Sequence, residues 1–159
     1  MAALYAMITP VIMFGQTKFH NAKKENMQSN ECKVVSKFLT AVQTGDMATV
    51  GALLHPEVQW NQPGASDISG KKHSAQEVFK MVGAMFEISG NTLKLAEIKW
   101  IGDNGTSVAA LLHWTATKAS GETIDVENID VYTLEEGRIV AVNVYSSDIE
   151  TENKFWKKR

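Results

Sequence analysis

The chain has 159 residues, 44% of them hydrophobic, a formal net charge of −2 and a single cysteine. That length suits one domain with one core, able to bury roughly 70% of the surface its unfolded chain exposes. The near-neutral balance leaves no basic excess for phosphate backbones and argues against nucleic acid as a partner, while the lone Cys32 excludes an internal disulfide and a cysteine-based metal site.

The first stretch, "MAALYAMITPVIMFG", is apolar but too short to span a bilayer, contains Pro10, and lacks the basic start and small-residue cleavage site of a secretory signal. Residues 1–29 therefore read as an N-terminal extension, with no membrane partner and a cytoplasmic location expected. From Asn30 the chain becomes regular. Val34, Val35, Phe38, Leu39 and Val42 recur at helical spacing after Asn30 as N-cap, Gly45 stops the helix, and Asp46 caps a second one from Met47 to about Leu54. Pro56 forbids continuation, and Val58 to Gln62 extend as a first strand. "QPGASDISG" is a loop. Ser74 and Glu77 then form a capping box ahead of Val78, Phe79, Val82, Met85 and Phe86, and this third helix stops near "SGN".

The second half is all strand. Leu93 to Ile101, Ser107 to Thr117, Glu122 to Leu134 and Arg138 to Ser146 are separated by "GDNG", "SG" and "EEG", each a hairpin signal. Helices followed by a four-stranded meander give an α+β class for a domain over residues 30–150, and residues 151–159 read as a basic C-terminal tail. Strands of ~10 residues exceed the usual ~5 to 6, which a strongly curved sheet wrapped around the helices explains.

Hairpin arithmetic places the side chains. If Ser120 and Gly121 form a two-residue turn, His113 opposes Asn128 and becomes a diagonal neighbour of Asp130. If "EEG" is a three-residue loop, Leu134 opposes Arg138 and Val140, Val142 and Val144 join that face opposite Tyr132, Asp130 and Asn128. One face then carries His113, Thr115, Asn128, Asp130 and Tyr132. The other carries Leu112, Trp114, Ile129, Val131, Ile139 and Tyr145, apolar enough to call for a partner subunit. A one-residue slip inverts the arrangement.

The order helix, helix, strand, helix and long meander, with "AVQTGDMATVGALLHPEVQW" early and "NIDVYTLEEGRIV" late, resembles the SnoaL-like and ketosteroid-isomerase-like branch of the nuclear-transport-factor-2-like superfamily over roughly residues 31 to 150. The resemblance implies a cone-shaped, mainly antiparallel sheet with a mixed edge, an apolar pocket between its concave face and about three helices, and a homodimer built on the outer sheet face. It puts Asp130 of "NIDVY" where the isomerases carry an acid that donates a hydrogen bond to the developing enolate. In those isomerases the apolar surroundings of that acid hold it neutral. The family's tyrosine partner falls on Phe38, which has no hydroxyl, and its general-base aspartate falls on or next to Gln62, ahead of Pro63. The Asp-Arg-Asp set of the limonene epoxide hydrolases, another branch, falls on His113, Leu111 and Val144, so neither chemistry carries over whole.

His113 and Asp130 remain as the candidate catalytic pair, an imidazole suited to proton exchange near neutral pH beside an acid that orients it or donates to a substrate oxygen. Tyr132, Asn128, Trp60, Asn61, Phe38, Val142 and Val144 are the candidate binding residues for a small apolar molecule. No metal spacing and no phosphate loop is present, so no cofactor is expected. Two classes stay open. One is a cofactor-independent isomerase, cyclase or dehydratase acting on an apolar carbonyl compound. The other is a non-catalytic ligand-binding or protein-interaction module, in which His113 is a core histidine bonded to Asn128 or Asp130 and Asp130 a structural acid bonded to Tyr132.

Overall fold

A computed structural model describes residues 28–158; the expected N-terminal extension falls, apart from its last two residues, outside the described residues. In chain order the elements are α1 (Asn30–Thr44), α2 (Met47–Leu53), β1 (Leu54–Gln62), β2 (Gly70–Lys72), α3 (Ala75–Ile88), β3 (Lys94–Asp103), β4 (Val108–Thr117), β5 (Thr123–Glu135), β6 (Arg138–Ser146) and α4 (Ile149–Phe155). The strands form one sheet in the order β2-β1-β6-β5-β4-β3, antiparallel except for the β1–β6 pair. The α+β class and the mixed edge are as expected; β2 and α4 are additional.

Local chemistry sets the helix ends. Ser29, one residue before the expected cap, accepts from the Cys32 amide at 3.1 Å, and Gly45 in the left-handed region closes α1 onto Ala41 and Val42. Asp46 accepts from the Thr49 amide and hydroxyl at 3.1 and 2.6 Å, so α2 starts directly after α1 ends. At α3, Ser74 accepts from the Glu77 amide at 3.2 Å, while the Glu77 carboxylate reaches back to the His73 amide at 2.7 Å. The register shifts in the β3–β4, β5–β6 and β1–β6 pairs where bulges bend the strands. Curvature of this kind is what strands as long as the 13-residue β5 need to stay on one core. The core joins α1 (Val35, Phe38, Leu39), α3 (Val78, Met81) and the inner sheet face (Leu112, Tyr132, Ile139, Val142).

Both hairpin loops differ in length from the expectation, and the faces follow. Thr117 pairs with Thr123, the Lys118 carbonyl accepts from the Gly121 amide at 2.9 Å, and Gly121 has φ of 85°. The loop is therefore Ala119-Ser120-Gly121, three residues with glycine in the left-handed position, one more than a Ser-Gly turn. That extra residue slips β4 by one against β5. His113 opposes Glu127 instead of Asn128, and Ala110 opposes Asp130. Leu112 and Trp114 turn inward and His113 and Thr115 outward, the inversion a one-residue slip enforces. At the next hairpin Glu135 pairs with Arg138, leaving Glu136 and Gly137 as a two-residue turn with φ of 49° and 76°. Asp130 then opposes Val144 and Tyr132 opposes Val142; Val142 and Val144 stay on the inner face, two places along from where they were expected.

The segment expected as a basic tail instead contributes to the core. Ile149–Phe155 is helical, capped by Asp148, which accepts from the Thr151 amide and hydroxyl at 3.0 and 2.7 Å. Phe155 and Trp156 are buried, Asn153 accepts from the Ala65 amide at 2.6 Å, and Lys158 bonds Asp67 through its amide and Glu87 through its ammonium. Phe155→Ala should cost about 3–5 kcal/mol, measured by urea unfolding; an unchanged midpoint would return this segment to the status of a tail.

Candidate functional site

The inner face of the sheet and helices α1 to α3 enclose a cavity of about 390 Å³. Its walls are apolar: Phe38, Leu39 and Val42 from α1, Val50 from α2, Val78, Met81, Met85 and Phe86 from α3, Trp114 from β4, and Ile124 and Val126 from β5. The lining residues that reach solvent mark its mouth, namely Gln43, Thr44, Gly45, Met47, Phe79 and Lys94, between the end of α1, the α1–α2 turn, α3 and the start of β3.

The other carboxyl, amide and phenol groups of the lining are buried. Asp130, Tyr132 and Asn128 descend from alternate positions of β5, Gln62 ends β1, and Glu152 with Trp156 comes from α4 and the residue after it. The Tyr132 hydroxyl donates to Asp130 Oδ2 at 3.0 Å, and Phe38 packs edge-on to the Tyr132 ring with centroids 6.0 Å apart. Asp130 Oδ1 is buried and has no hydrogen-bond partner among the described residues. Asn128, with its amide nitrogen turned toward them, donates to the Glu127 carbonyl at 2.8 Å and to Glu152 Oε1 at 3.0 Å. The Trp60 indole donates to Gln62 Oε1 at 3.1 Å.

Burial governs the electrostatics. It pushes the Asp130 carboxyl up from 3.8 to about 7, against the Tyr132 hydrogen bond that favours the anion and with the help of the nearby Glu152 charge. The Tyr132 phenol is raised well above its ordinary value by burial and by the acid it serves. Glu152 is also raised by burial, opposed by hydrogen bonds from Ser146, Asn128 and Trp156. The cavity floor is thus acidic, and the one cation among the described lining residues, Lys94, is exposed at the mouth.

Of the nine residues singled out from the sequence, Asp130, Tyr132, Asn128, Trp60, Phe38 and Val144 line the cavity. Three do not. His113 lies on the opposite face of the sheet, its Nε2 2.7 Å from Asp125 Oδ1, so it forms no pair with Asp130. Asn61, next to inward Trp60, is exposed on the other side of β1 by strand alternation. Val142 is fully buried in the core without bordering the cavity. Sequence reasoning missed Glu152, Trp156 and Trp114. Ile149, Glu152, Asn153 and Trp156 do share one helical face after the Asp148 cap, a signal hidden by the lysines of "KFWKKR". Among the described residues no histidine lines the cavity, no cluster of three potential metal ligands occurs, and no helix is long and apolar enough to cross a membrane.

Comparison with known proteins agrees with this architecture. The SnoaL-like domain model matches residues 35–142. A Xanthomonas campestris protein of unknown function with a cystatin-like fold is 32% identical, with a TM-score of 0.77, over 82% of this chain and 100% of its own. Bal32a, from a soil-derived mobile gene cassette, is 25% identical, with a TM-score of 0.74, over 80% of this chain and 97% of its own. An NTF2-like protein of unknown function from Burkholderia pseudomallei shares the fold at 22% identity and a TM-score of 0.68, over 82% of this chain and 100% of its own. No functionally curated protein matches. The chain belongs to the SnoaL-like domain family.

Proposed function

We propose that this protein binds a small apolar carbonyl compound and assists proton transfer on it, as an isomerase, cyclase or dehydratase without a cofactor. Asp130, and not His113, is the acid of this reading. The observation that carries it is the unpartnered Asp130 Oδ1 at the floor of an apolar cavity. A protonated carboxyl whose other oxygen already accepts from Tyr132 has its own O–H free for a ligand oxygen. A donor held in place in a dry site stabilises charge as it develops on that oxygen, which is the interaction that lowers a barrier to enolisation. The lack of an imidazole among the described lining residues favours a second reading, a module that holds the same ligand without turning it over.

Deuterium uptake next to the carbonyl distinguishes the two readings. Incubation with a panel of apolar cyclic ketones in D2O, followed by NMR, should show exchange that drops at least ~10²-fold in Asp130→Asn and is unaffected in His113→Ala. Equal exchange in Asp130→Asn and wild type removes Asp130 from the chemistry, and ligand binding without any exchange selects the module.

Stability carries the same acid. The unfolded chain releases the Asp130 proton near pH 3.8 and the folded chain holds it to about pH 7. The folded state binds more protons in that window, so stability falls as pH rises from 3.8 to about 7 and levels off above it. Asparagine cannot ionise, so the melting temperature of Asp130→Asn relative to wild type should climb across this window; a constant difference would mean the folded acid is ionised throughout.

On the outer sheet face Trp100, Ile129 and Tyr145 are exposed at 55%, 47% and 60%. We propose that a second copy covers them. An isologous interface needs a self-complementary surface, and here these apolar groups are interspersed with both charge signs, in the His113–Asp125 and Lys99–Glu127 pairs. Sedimentation should give a dimer that Ile129→Lys converts to monomer; a monomeric wild type would exclude this interface.

A further inference from the structure

The cavity floor holds a second acid that the proposed chemistry leaves unused. Glu152 of α4 is 5% exposed and lines the same cavity as Asp130. The two carboxyls have unequal surroundings. Glu152 Oε1 accepts from the Asn128 amide at 3.0 Å, and the Ser146 and Trp156 side chains also favour its charged form, whereas Asp130 accepts from Tyr132 and its Oδ1 has no partner among the described residues. Donors stabilise the charged form of a carboxyl, and one buried negative charge disfavours a second beside it. The charge therefore belongs on Glu152 and the proton on Asp130.

Among the described residues no other element neutralises the pair. The lining side chains of α1, α2, α3 and β1 are uncharged, β5 adds only the uncharged Ile124, Val126, Asn128 and Tyr132 beside Asp130, and β6 adds Val144. Lys94 of β3 lies at the mouth. On α4, Asp148 adds a further negative charge felt by Glu152. Lys118, a cation beside α4, stands 4.8 Å over the Phe155 ring and pairs with Glu122 at 3.3 Å.

We propose that Asp130 and Glu152 form a carboxyl pair sharing one proton, in which the Glu152 anion keeps Asp130 a hydrogen-bond donor and restricts the cavity to uncharged ligands that carry an acceptor. This rests on the reading of the cavity as a ligand site. Glu152 is a positioning residue here, acting on the ligand through Asp130. An anionic ligand would meet a buried negative charge with no cation at the floor, a desolvated repulsion that a neutral ligand escapes.

Two measurements test the pair separately from the ligand site. In a carbon-13 NMR titration of the carboxyl groups, with the Asp130 resonance assigned by its loss in Asp130→Asn, Glu152→Gln should move the Asp130 midpoint down by about one pH unit. An unmoved midpoint overturns the pair, whatever binds. Fluorescence titration at pH 7 then compares N-phenyl-1-naphthylamine with its sulfonated counterpart, 8-anilino-1-naphthalenesulfonate. Wild type should prefer the neutral probe at least ~10-fold, about 1.4 kcal/mol. Each single variant, Asp130→Asn or Glu152→Gln, retains one carboxyl to carry the charge and should keep most of that preference. The double variant should lose it. Equal binding of the two probes by wild type overturns the exclusion of anions. Failure of wild type to bind either probe counts against the ligand-site reading, and leaves the NMR result to decide the pair.

Discussion

The hydrogen bond from the Tyr132 hydroxyl to Asp130 joins two buried side chains two residues apart on β5, and the site is organised around it. A carboxyl placed in an apolar core is costly when charged, and a single neutral donor does not offset that cost. The acid resolves the conflict by holding its proton, at a value pushed to about 7. Its remaining oxygen then has no partner among the described residues, which is unusual for a buried polar atom and is the feature a ligand would complete. Phe38 of α1 packs edge-on against the Tyr132 ring, so the aromatic that lacks the hydroxyl of the isomerases buttresses a tyrosine from β5.

Which residues of the neighbouring strands share the face of that hydrogen bond depends on register. Strand alternation guarantees that Asn128, Asp130 and Tyr132 share one face, and the core side chains Ile124 and Val126 on the same face pull it inward. Whether His113 joins them is decided by one residue in the loop before β5. With Ala119-Ser120-Gly121 as the loop, the buried set of β4 becomes Val108, Ala110, Leu112 and Ala116, all apolar, and the imidazole is left to solvent and Asp125. The other register would have buried His113 and Thr115 and exposed Leu112. The observed one is the arrangement that buries the larger apolar area.

The C-terminal helix and the residue after it add Glu152 and Trp156 to the cavity lining. Phe155 and Trp156 anchor it in the core, Asn153 ties it to the loop after β1, and Glu152 enters the floor as a consequence of that docking. A seven-residue helix has little stability of its own. Its structure, and hence the acidity of the floor, comes from packing against the sheet.

Helix caps, the order of elements and the inward face of β5 were legible in the sequence, because each is local: Asp46 and Ser74 cap the turns that follow them, and Asn128, Asp130 and Tyr132 keep a period of two whatever their partner strand does. The family resemblance in "NIDVY" likewise pointed to Asp130. Relations between elements were not legible. "SG" and "EEG" each fit a two- or three-residue loop by composition, Glu136 adopts a positive φ that its residue type does not announce, and the choice falls to which register buries apolar surface on both strands at once. Only the assembled fold moved His113 out, turned Trp114 in and brought Glu152 from a lysine-rich end to the side of Asp130, because those positions are set by packing between segments distant in the chain.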